Sequence, residues 1–122
     1  MNKLEFIIVC ESAFLSQGNL NLNLINIFDS IGTVKFPAVH PKFYVVTSVK
    51  TDQGSHELRL VIKKNNIILA EPKASFTGEK HRWINMFVNV VFPEPGVYPV
   101  ELYLDGGLLG NTNLNVTAAE QH

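Results

Sequence analysis

Three apolar runs separated by turn-forming residues fill the last third of the chain and restrict what it can fold into. The runs cover residues 84–92, 98–104 and 108–116, and the connections 93–97 and 105–107 contain prolines or paired glycines. Proline and glycine end one run and reverse the chain before the next. Within each run apolar and polar side chains largely alternate, which is typical of strands. The stretch therefore predicts three antiparallel β-strands joined by short connections.

Alternation within these runs predicts which side chains form the core. Successive side chains of a strand point to opposite faces of its sheet, so a slip of one residue would exchange the two faces. We assign one alternating set of each run to the interior. These core residues are Ile84, Met86, Val88, Val90 and Phe92, then Tyr98, Val100, Leu102 and Leu104, and finally Thr112, Leu114 and Val116.

Shorter segments upstream predict further strands. They lie at 4–11, 20–28, 43–49, 56–62 and 67–69. Asn65-Asn66 separates the last two of them, and asparagine tolerates the positive φ that a tight hairpin requires.

Three other segments are predicted to lie outside the strands. Residues 13–15 predict a short helical turn, and the proline-rich segment 36–41 predicts an irregular loop or cap. The polar segment 71–80 predicts the crossover between two sheets.

About seven or eight short strands with regularly spaced turn signals favour an all-β fold, in particular an antiparallel immunoglobulin-like β-sandwich. The chain has 122 residues, so we expect one domain, residues 1–122, that folds around its own core. Gly96-Val97-Tyr98 also predicts a tyrosine corner, in which the hydroxyl of Tyr98 bonds to the upstream backbone.

Five motifs of turn and core residues are distributed over nearly the whole chain. They are Ile27-Phe28-Asp29, Phe36-Pro37, His56-Glu57-Leu58, Phe92-Pro93-Glu94-Pro95-Gly96-Val97-Tyr98 and Leu104-Asp105-Gly106. With these motifs the chain resembles a family of small prokaryotic proteins catalogued only as a domain of unknown function. The resemblance implies a stand-alone immunoglobulin-like β-sandwich and brings no assigned activity or catalytic residue.

Charge and cysteine content narrow the classes of partner and the compartment. Ten basic and eleven acidic residues give a net charge of -1, and Lys63-Lys64 is the densest basic segment. Nucleic acid binding normally needs a concentrated positive face, so we expect none. The single cysteine, Cys10, lies in an apolar run and predicts a buried thiol in a reducing compartment. The charged amino terminus favours neither a signal peptide nor a membrane span, so the predicted location is cytoplasmic.

No motif in the sequence supports catalysis, a metal site or a cofactor. The histidines, His40, His56, His81 and His122, lack partners at ligand spacing, and no nucleophile motif such as G-x-S-x-G is present. The remaining enzymatic hypothesis requires the fold to bring His40, His56 and Asp29 within hydrogen-bonding reach.

One predicted surface combines aromatic rings with amide groups. If the last three strands are neighbours in one sheet, its outer face contains Trp83, Asn85, Phe87, Asn89, Glu101, Tyr103, Asn113 and Asn115. Such a face can be covered by a loop, can form a protein interface, or can stack on a sugar.

The first functional hypothesis is therefore a non-enzymatic binding or scaffold module. It acts through a sheet face or edge on another protein or on a second copy of itself. The second hypothesis is a module that binds carbohydrate or another small ligand on the aromatic and amide face.

Overall fold

The computed structural model describes residues 2–18 and 21–119, and these residues form ten β-strands and no helix. The predicted start of the second strand at Leu20 and the terminal His122 lie outside this range. In chain order the strands are β1 Lys3–Leu15, β2 Leu22–Ile27, β3 Ser30–Thr33, β4 Ala38–Lys50, β5 Ser55–Lys64, β6 Ile67–Ala70, β7 Lys73–Thr77, β8 Lys80–Phe92, β9 Gly96–Leu104 and β10 Gly107–Ala118.

The strands form two sheets, which confirms the predicted all-β class. The four-stranded sheet has the order β2-β1-β4-β8, and the six-stranded sheet has the order β3-β10-β9-β5-β6, with β7 also paired with β5. All strand pairs are antiparallel except β3 with β10. The described residues contain ten strands rather than about seven or eight, because the short segments β3 and β7, which were not predicted as strands, also pair in the six-stranded sheet.

Side chains from both sheets share one core. Phe43 and Val45 of the four-stranded sheet pack in the same cluster as Leu60 and Tyr98 of the six-stranded sheet. These four side chains are fully buried, and burial of each large apolar side chain contributes roughly 1.5–3 kcal/mol to folding. The core prediction for β9 and β10 is confirmed at six of its seven residues, since the following are buried: Tyr98, Val100, Leu102, Leu104, Leu114 and Val116. The seventh, Thr112, is half-buried.

The predicted tyrosine corner is present. The Tyr98 hydroxyl donates a hydrogen bond of 2.6 Å to the carbonyl oxygen of Glu94 and accepts one from the Glu94 amide at 3.3 Å. Gly96, with a φ of 148°, permits the turn between them. The corner joins the end of β8 to the start of β9.

Two loop predictions were wrong, and a third was partly right. Residues 13–15 belong to β1 and are not helical. β4 already begins at Ala38 and continues through Pro41, because its neighbour β8 is irregular at the facing residue Asn89. The predicted crossover 71–80 does pass between the sheets, but half of it forms strand β7 beside β5.

Candidate functional site

The last three strands do not lie side by side, so the predicted aromatic and amide face is divided. β8 is an edge strand of the four-stranded sheet, whereas β9 and β10 lie within the six-stranded sheet. Of the predicted site residues, Trp83, Asn85, Phe87 and Asn89 belong to β8, and Glu101, Tyr103, Asn113 and Asn115 belong to the other sheet. The sequence could not reveal this division because sheet membership depends on pairing between distant strands.

The first half of β8 turns its rings inward. Phe87 stacks on Phe43 with ring centroids 5.2 Å apart, and His81 stacks on Phe76 of the other sheet at 4.7 Å. Burial lowers the pKa of His81. Trp83 is half-buried against the same core. The odd-numbered side chains from 81 to 87 therefore face the interior, opposite to the prediction.

The inward position of Asn85 leaves a polar atom without a partner. Its Nδ2 atom and the Oγ1 atom of Thr47 on β4 are buried, and within the described residues neither has a hydrogen-bond partner. The prediction that Asn85 belongs to an exposed amide face was therefore wrong.

The outward set of β8 contains aliphatic residues that the sequence predicted for the core, namely Ile84, Met86 and Val88. Val90 and Phe92 are buried as predicted. The change of phase occurs at the exposed Asn89, whose φ is 54°, opposite Pro41 of β4. A left-handed residue in a strand rotates the following side chains to the other face.

A signal for the correct phase was present in the sequence. Lys80 and Arg82 stand four and two residues before Ile84, respectively, so they share its face. Charged residues seldom lie in a core without partners. Because both cations have even residue numbers, they indicate that the even-numbered side chains in this part of β8 face solvent.

The even-numbered side chains from 80 to 88 of β8 form an apolar strip with a basic end on the outer face of the four-stranded sheet. Met86 and Val88 are 55% and 54% exposed, and Val91 near the end of the strand is also exposed. Arg82 and Lys80 continue the same row and are exposed. We call the row Lys80, Arg82, Ile84, Met86 and Val88 the β8 strip.

The hairpin of β1 and β2 packs over the part of this face next to the β8 strip. Cys10, Ala13 and Val46 form a second small core there, and these partly buried side chains pack against it: Phe6, Leu22, Leu24, Tyr44 and Ile84. Cys10 is buried as predicted, and burial raises the pKa of its thiol. Leu15 of the hairpin lines a shallow groove of about 450 Å³ with Arg82 and Ile84.

Three lysines lie side by side at the basic end of the sheet. Lys3 pairs with Lys50, and Lys50 pairs with Lys80, on adjacent strands. Glu5 lies 3.5 Å from the ammonium of Lys50 and 3.7 Å from that of Lys80. The hydrogen bond from Ser48, followed by these lysines, lowers the pKa of the Glu5 carboxyl.

The outer face of the six-stranded sheet is a connected polar network. The Arg59 guanidinium lies 4.2 Å from the centre of the Tyr103 ring and donates a 2.8 Å hydrogen bond to Glu71. The Tyr103 hydroxyl bonds to Glu101 at 2.9 Å, and Lys63 reaches the same carboxylate at 3.0 Å. The hydrogen bond from Lys63 is the main reason why the pKa of Glu101 is lowered.

The other predicted members of this face, Asn113 and Asn115, lie on β10 opposite Pro99 and Val97. The structure therefore brings Glu101, Tyr103, Asn113 and Asn115 onto one face, as predicted, but without Trp83. A groove of about 500 Å³ beside Tyr103 is lined by Arg59, Lys73 and Ser75, among others.

His56 is held at the end of the six-stranded sheet by two acceptors. Its Nδ1 atom lies 2.7 Å from Asp105, and its Nε2 atom lies 2.7 Å from the backbone oxygen of Asp52. Asp105 also accepts a hydrogen bond from the Glu57 amide. The contact with Asp105 is the main reason why the pKa of His56 is raised and that of Asp105 is lowered.

His40 lies elsewhere. It belongs to β4 of the four-stranded sheet and is flanked by the rings of Phe28 and Phe43. No hydrogen bond joins either His40 or His56 to Asp29 in the part of the chain that the structure describes. The structure therefore does not bring together the three side chains of the enzymatic hypothesis. Residues 2–18 and 21–119 also contain no group of three His, Cys, Asp or Glu side chains able to hold a metal ion.

These features define an all-β protein of two sheets. The edge strand β8 exposes apolar side chains with cations at one end, and the outer face of the six-stranded sheet has a network of paired polar side chains. A family model described as a family of unknown function, DUF6941, matches residues 5–117, so the chain belongs to that family. The match confirms the resemblance to a domain of unknown function over nearly the whole chain. None of the curated proteins matches the chain. No helix within the described ranges is long and apolar enough to cross a membrane.

Proposed function

We propose that the protein is a binding or scaffold module that acts on another protein, or on a second copy of itself, through the free edge of β8 and the adjoining β8 strip. The observation that carries the proposal is the edge strand itself. β8 has 13 residues, has β4 as its one neighbour among the described strands, and exposes about half of the Met86 and Val88 side chains.

A free edge of this length is a template for another strand. Its outward backbone amides and carbonyls can pair with an added chain, and proteins usually protect such edges with proline, charge or a covering element. Residues 80–92 contain no proline, and their lysine and arginine lie in the first three positions. β6 of the other sheet approaches β8 without pairing with it.

Exposed apolar side chains beside the edge support the same proposal. The β8 strip continues across β4 to Tyr44, which lies directly opposite Met86 and donates a hydrogen bond to its sulfur at 3.4 Å. An added strand would bring its own side chains against Met86 and Val88, which removes apolar surface from water.

The partner in this proposal is protein. A second copy paired about a two-fold axis would give a homodimer with a continuous eight-stranded sheet, and a strand of a different protein would give a heterologous complex. We propose no nucleic acid, membrane, cofactor or catalytic role for this surface.

Three further proposals accompany this function. The immunoglobulin-like type of the sandwich is supported by the tyrosine corner at Tyr98. A cytoplasmic location is supported by the single, buried Cys10. A prokaryotic origin is supported by the resemblance described from the sequence motifs.

A second candidate function is the binding of carbohydrate or another small ligand. The groove beside Tyr103, with a volume of about 500 Å³, favours it. The stacking of Arg59 on the Tyr103 ring counts against a sugar there, because the ring face is already occupied. Isothermal titration calorimetry with a panel of sugars tests this candidate, and no heat of binding across the panel would reject it.

Site-specific cross-linking tests the protein-binding proposal. A photoreactive phenylalanine analogue replaces Met86 on the β8 strip or, as a matched control, Val97 on the six-stranded sheet, which is 50% exposed. In cells of the organism that makes the protein, we expect discrete adducts, with a second copy or another protein, from position 86 only. Adding Val88→Glu should remove them. Equal adducts from both positions, or none from position 86, would reject the proposal.

A further inference from the structure

We infer that the partner of β8 is an extended segment that pairs antiparallel with it and carries alternating apolar residues followed by acidic ones. This inference rests on the proposed function and specifies the chemistry of the occupant. It depends on three features of the four-stranded sheet: the free edge of β8, the order of residues along the β8 strip, and incompletely neutralised cations at one end.

The cations at the basic end outnumber the acids that contact them. Lys3, Lys50 and Lys80 stand in register, and Glu5 contacts two of them. Like charges on directly opposed positions destabilise a sheet. Arg82 continues this end of the face, and within residues 2–18 and 21–119 it has no ion pair. An acidic partner would relieve the repulsion that Glu5 only partly offsets.

The nearest acids in the sequence belong to loops beyond this row. Asp52 lies in the connection after β4, and Glu79 lies in the connection before β8. The backbone oxygen of Glu79 accepts a hydrogen bond from the Thr51 amide, which holds the two connections together. Neither residue belongs to the paired strands that contain Lys50, Lys80 and Arg82.

The order of residues in β8 sets the order required in the partner. From its amino end, the β8 strip has two cations and then three aliphatic side chains. In an antiparallel pair, directly opposed side chains lie about 4.5–5.5 Å apart at their Cβ atoms. The partner must therefore present apolar residues first, opposite Val88, Met86 and Ile84, and acidic residues afterwards, opposite Arg82 and Lys80.

The groove beside Arg82 supports a side chain entering from the partner. Leu15 of the β1–β2 hairpin lines the groove together with Lys80, His81, Arg82 and Ile84 of β8. An acidic side chain can place its methylene groups against Leu15 and its carboxylate beside the guanidinium, which favours paired hydrogen bonds. The groove lies at the point where the β8 strip changes from apolar to basic.

A second copy fits this surface less well. Residues 80–92 contain no Asp or Glu, so pairing of β8 with β8 of another copy places no carboxylate within the paired strands near Arg82 or Lys80. Electrostatic complementarity mainly determines which partner is selected. The observations therefore favour an acidic segment of a different protein over self-association.

Binding of a synthetic probe to the full-length protein tests the inference. The probe is a fluorescein-labelled peptide, Thr-Val-Thr-Val-Thr-Val-Thr-Glu-Thr-Glu, whose valines and glutamates share one face when it is extended. Control peptides have the glutamates moved to the amino end or replaced by threonine. We expect the probe to bind with higher affinity than both controls, and its affinity to fall as salt is added.

Matched charge reversals identify the surface that binds. Arg82→Glu should weaken binding of the probe by at least about tenfold, which is about 1.4 kcal/mol of binding free energy. Lys73→Glu, on an exposed residue of the other sheet, should leave the affinity unchanged. Both substitutions are at exposed positions, and far-UV and near-UV circular dichroism show whether each variant keeps the fold.

The possible results separate this inference from the proposed function. If the charge-free peptide binds as tightly as the probe and Val88→Glu weakens both, the acidic partner is rejected while protein binding through β8 stands. If no peptide binds but position 86 still cross-links to a protein, the acidic partner is again rejected and protein binding through β8 again stands. Arg82-dependent binding to vesicles containing phosphatidylserine, without binding of the probe, would overturn the inference in favour of a membrane surface. Failure of both the peptides and the cross-linking would reject the two proposals together.

Discussion

The outer faces of the two sheets differ in how completely their side chains are paired. On the six-stranded sheet Arg59, Tyr103, Glu101 and Lys63 form a continuous set of ion pairs, hydrogen bonds and ring contacts. On the four-stranded sheet the β8 strip exposes aliphatic side chains and has cations at one end, with Glu5 as their contacting acid. The named charged groups of the first face are paired with one another, whereas the second face presents apolar surface beside charge that a partner could use.

The edge strands of the two sheets differ in length. The six-stranded sheet ends in the short strands β3 on one side and β6 and β7 on the other, each of four or five residues. β8 has 13 residues, and no described strand pairs with the side opposite β4. Short edge strands protect a sheet against unwanted pairing, whereas a long open one permits it.

The contrast between the outer faces of the two sheets depends first on which side chains of β8 point into the core. Phe87→Ala should reduce the free energy of unfolding by about 3–5 kcal/mol, because it removes a buried ring stacked on Phe43. Val88→Ala, at the adjacent but exposed residue, should cost less than about 1 kcal/mol. Urea unfolding of both variants measures the difference. Similar losses in the two variants would contradict the assignment of the faces.

Tyr98→Phe tests how firmly the start of β9 is held, a restraint that has no counterpart on β8. The variant keeps the buried ring but loses the 2.6 Å hydrogen bond to the Glu94 carbonyl. We expect the free energy of unfolding to fall by about 1–2 kcal/mol, since the part-buried hydroxyl that bonds to both the carbonyl and the amide of Glu94 is removed. A variant as stable as the wild type in urea would show that the corner contributes nothing to stability.

Two arginines, one on the outer face of each sheet, extend the comparison. Their replacement should change the free energy of unfolding less than the substitutions above. Arg59→Ala removes the contacts with Tyr103 and Glu71 and should cost about 0.5–1 kcal/mol. Arg82→Ala removes an exposed cation without an ion pair among the described residues, so the stability should stay within about 0.5 kcal/mol of the wild type. Thermal unfolding at low ionic strength compares them, and a larger loss for Arg82→Ala would reverse the contrast.

The pair of His56 and Asp105 should give the smallest effect, visible as a dependence of stability on pH. Folding raises the pKa of His56, chiefly through the hydrogen bond to Asp105, so its contribution is complete below its ordinary value of about 6.5. The contribution is lost as the pH rises through the folded-state value. Folding lowers the pKa of Asp105, again mainly through His56, so its contribution is lost as the pH falls through a value below 3.8.

Asp105→Asn isolates this pair. Between about pH 6 and pH 9 the urea midpoint of the wild type should fall more than that of the variant, because only the wild type loses an imidazolium held by a carboxylate. Glu57→Gln, at a neighbouring exposed carboxylate whose side chain is not part of the pair, is the control. Parallel pH profiles for the wild type and Asp105→Asn would contradict the proposed linkage.

Sequence patterns predicted β9 and β10 well because polar and apolar residues alternate clearly there. Leu102 and Leu104 are buried, whereas Glu101 and Tyr103 lie on the outer face as predicted. The hairpin at Asn65 and the tyrosine corner were also predicted from the sequence, since each depends on residues close together in the chain.

The same reasoning failed at β8, where both alternating sets contain large apolar residues. Met86 and Phe87 have similar hydrophobicity, so periodicity alone does not distinguish the inner face from the outer one. The stacking partner Phe43 is more than forty residues away. Asn89, with its left-handed backbone conformation, then exchanges the inward and outward side chains within the strand. A prediction that assumes one alternation along the whole strand misses this change.

By itself, the sequence determined the all-β class, the positions of most turns and the core of the last two strands, because these depend on local backbone preferences and on short-range alternation. Only the tertiary structure decided that β8 joins β4 rather than β9, and therefore which side chains form the open edge. Strand pairing joins residues that are far apart in the chain, and its energy depends on how two sheets fill one core. No short segment contains that information, so the candidate binding surface emerged only with the fold.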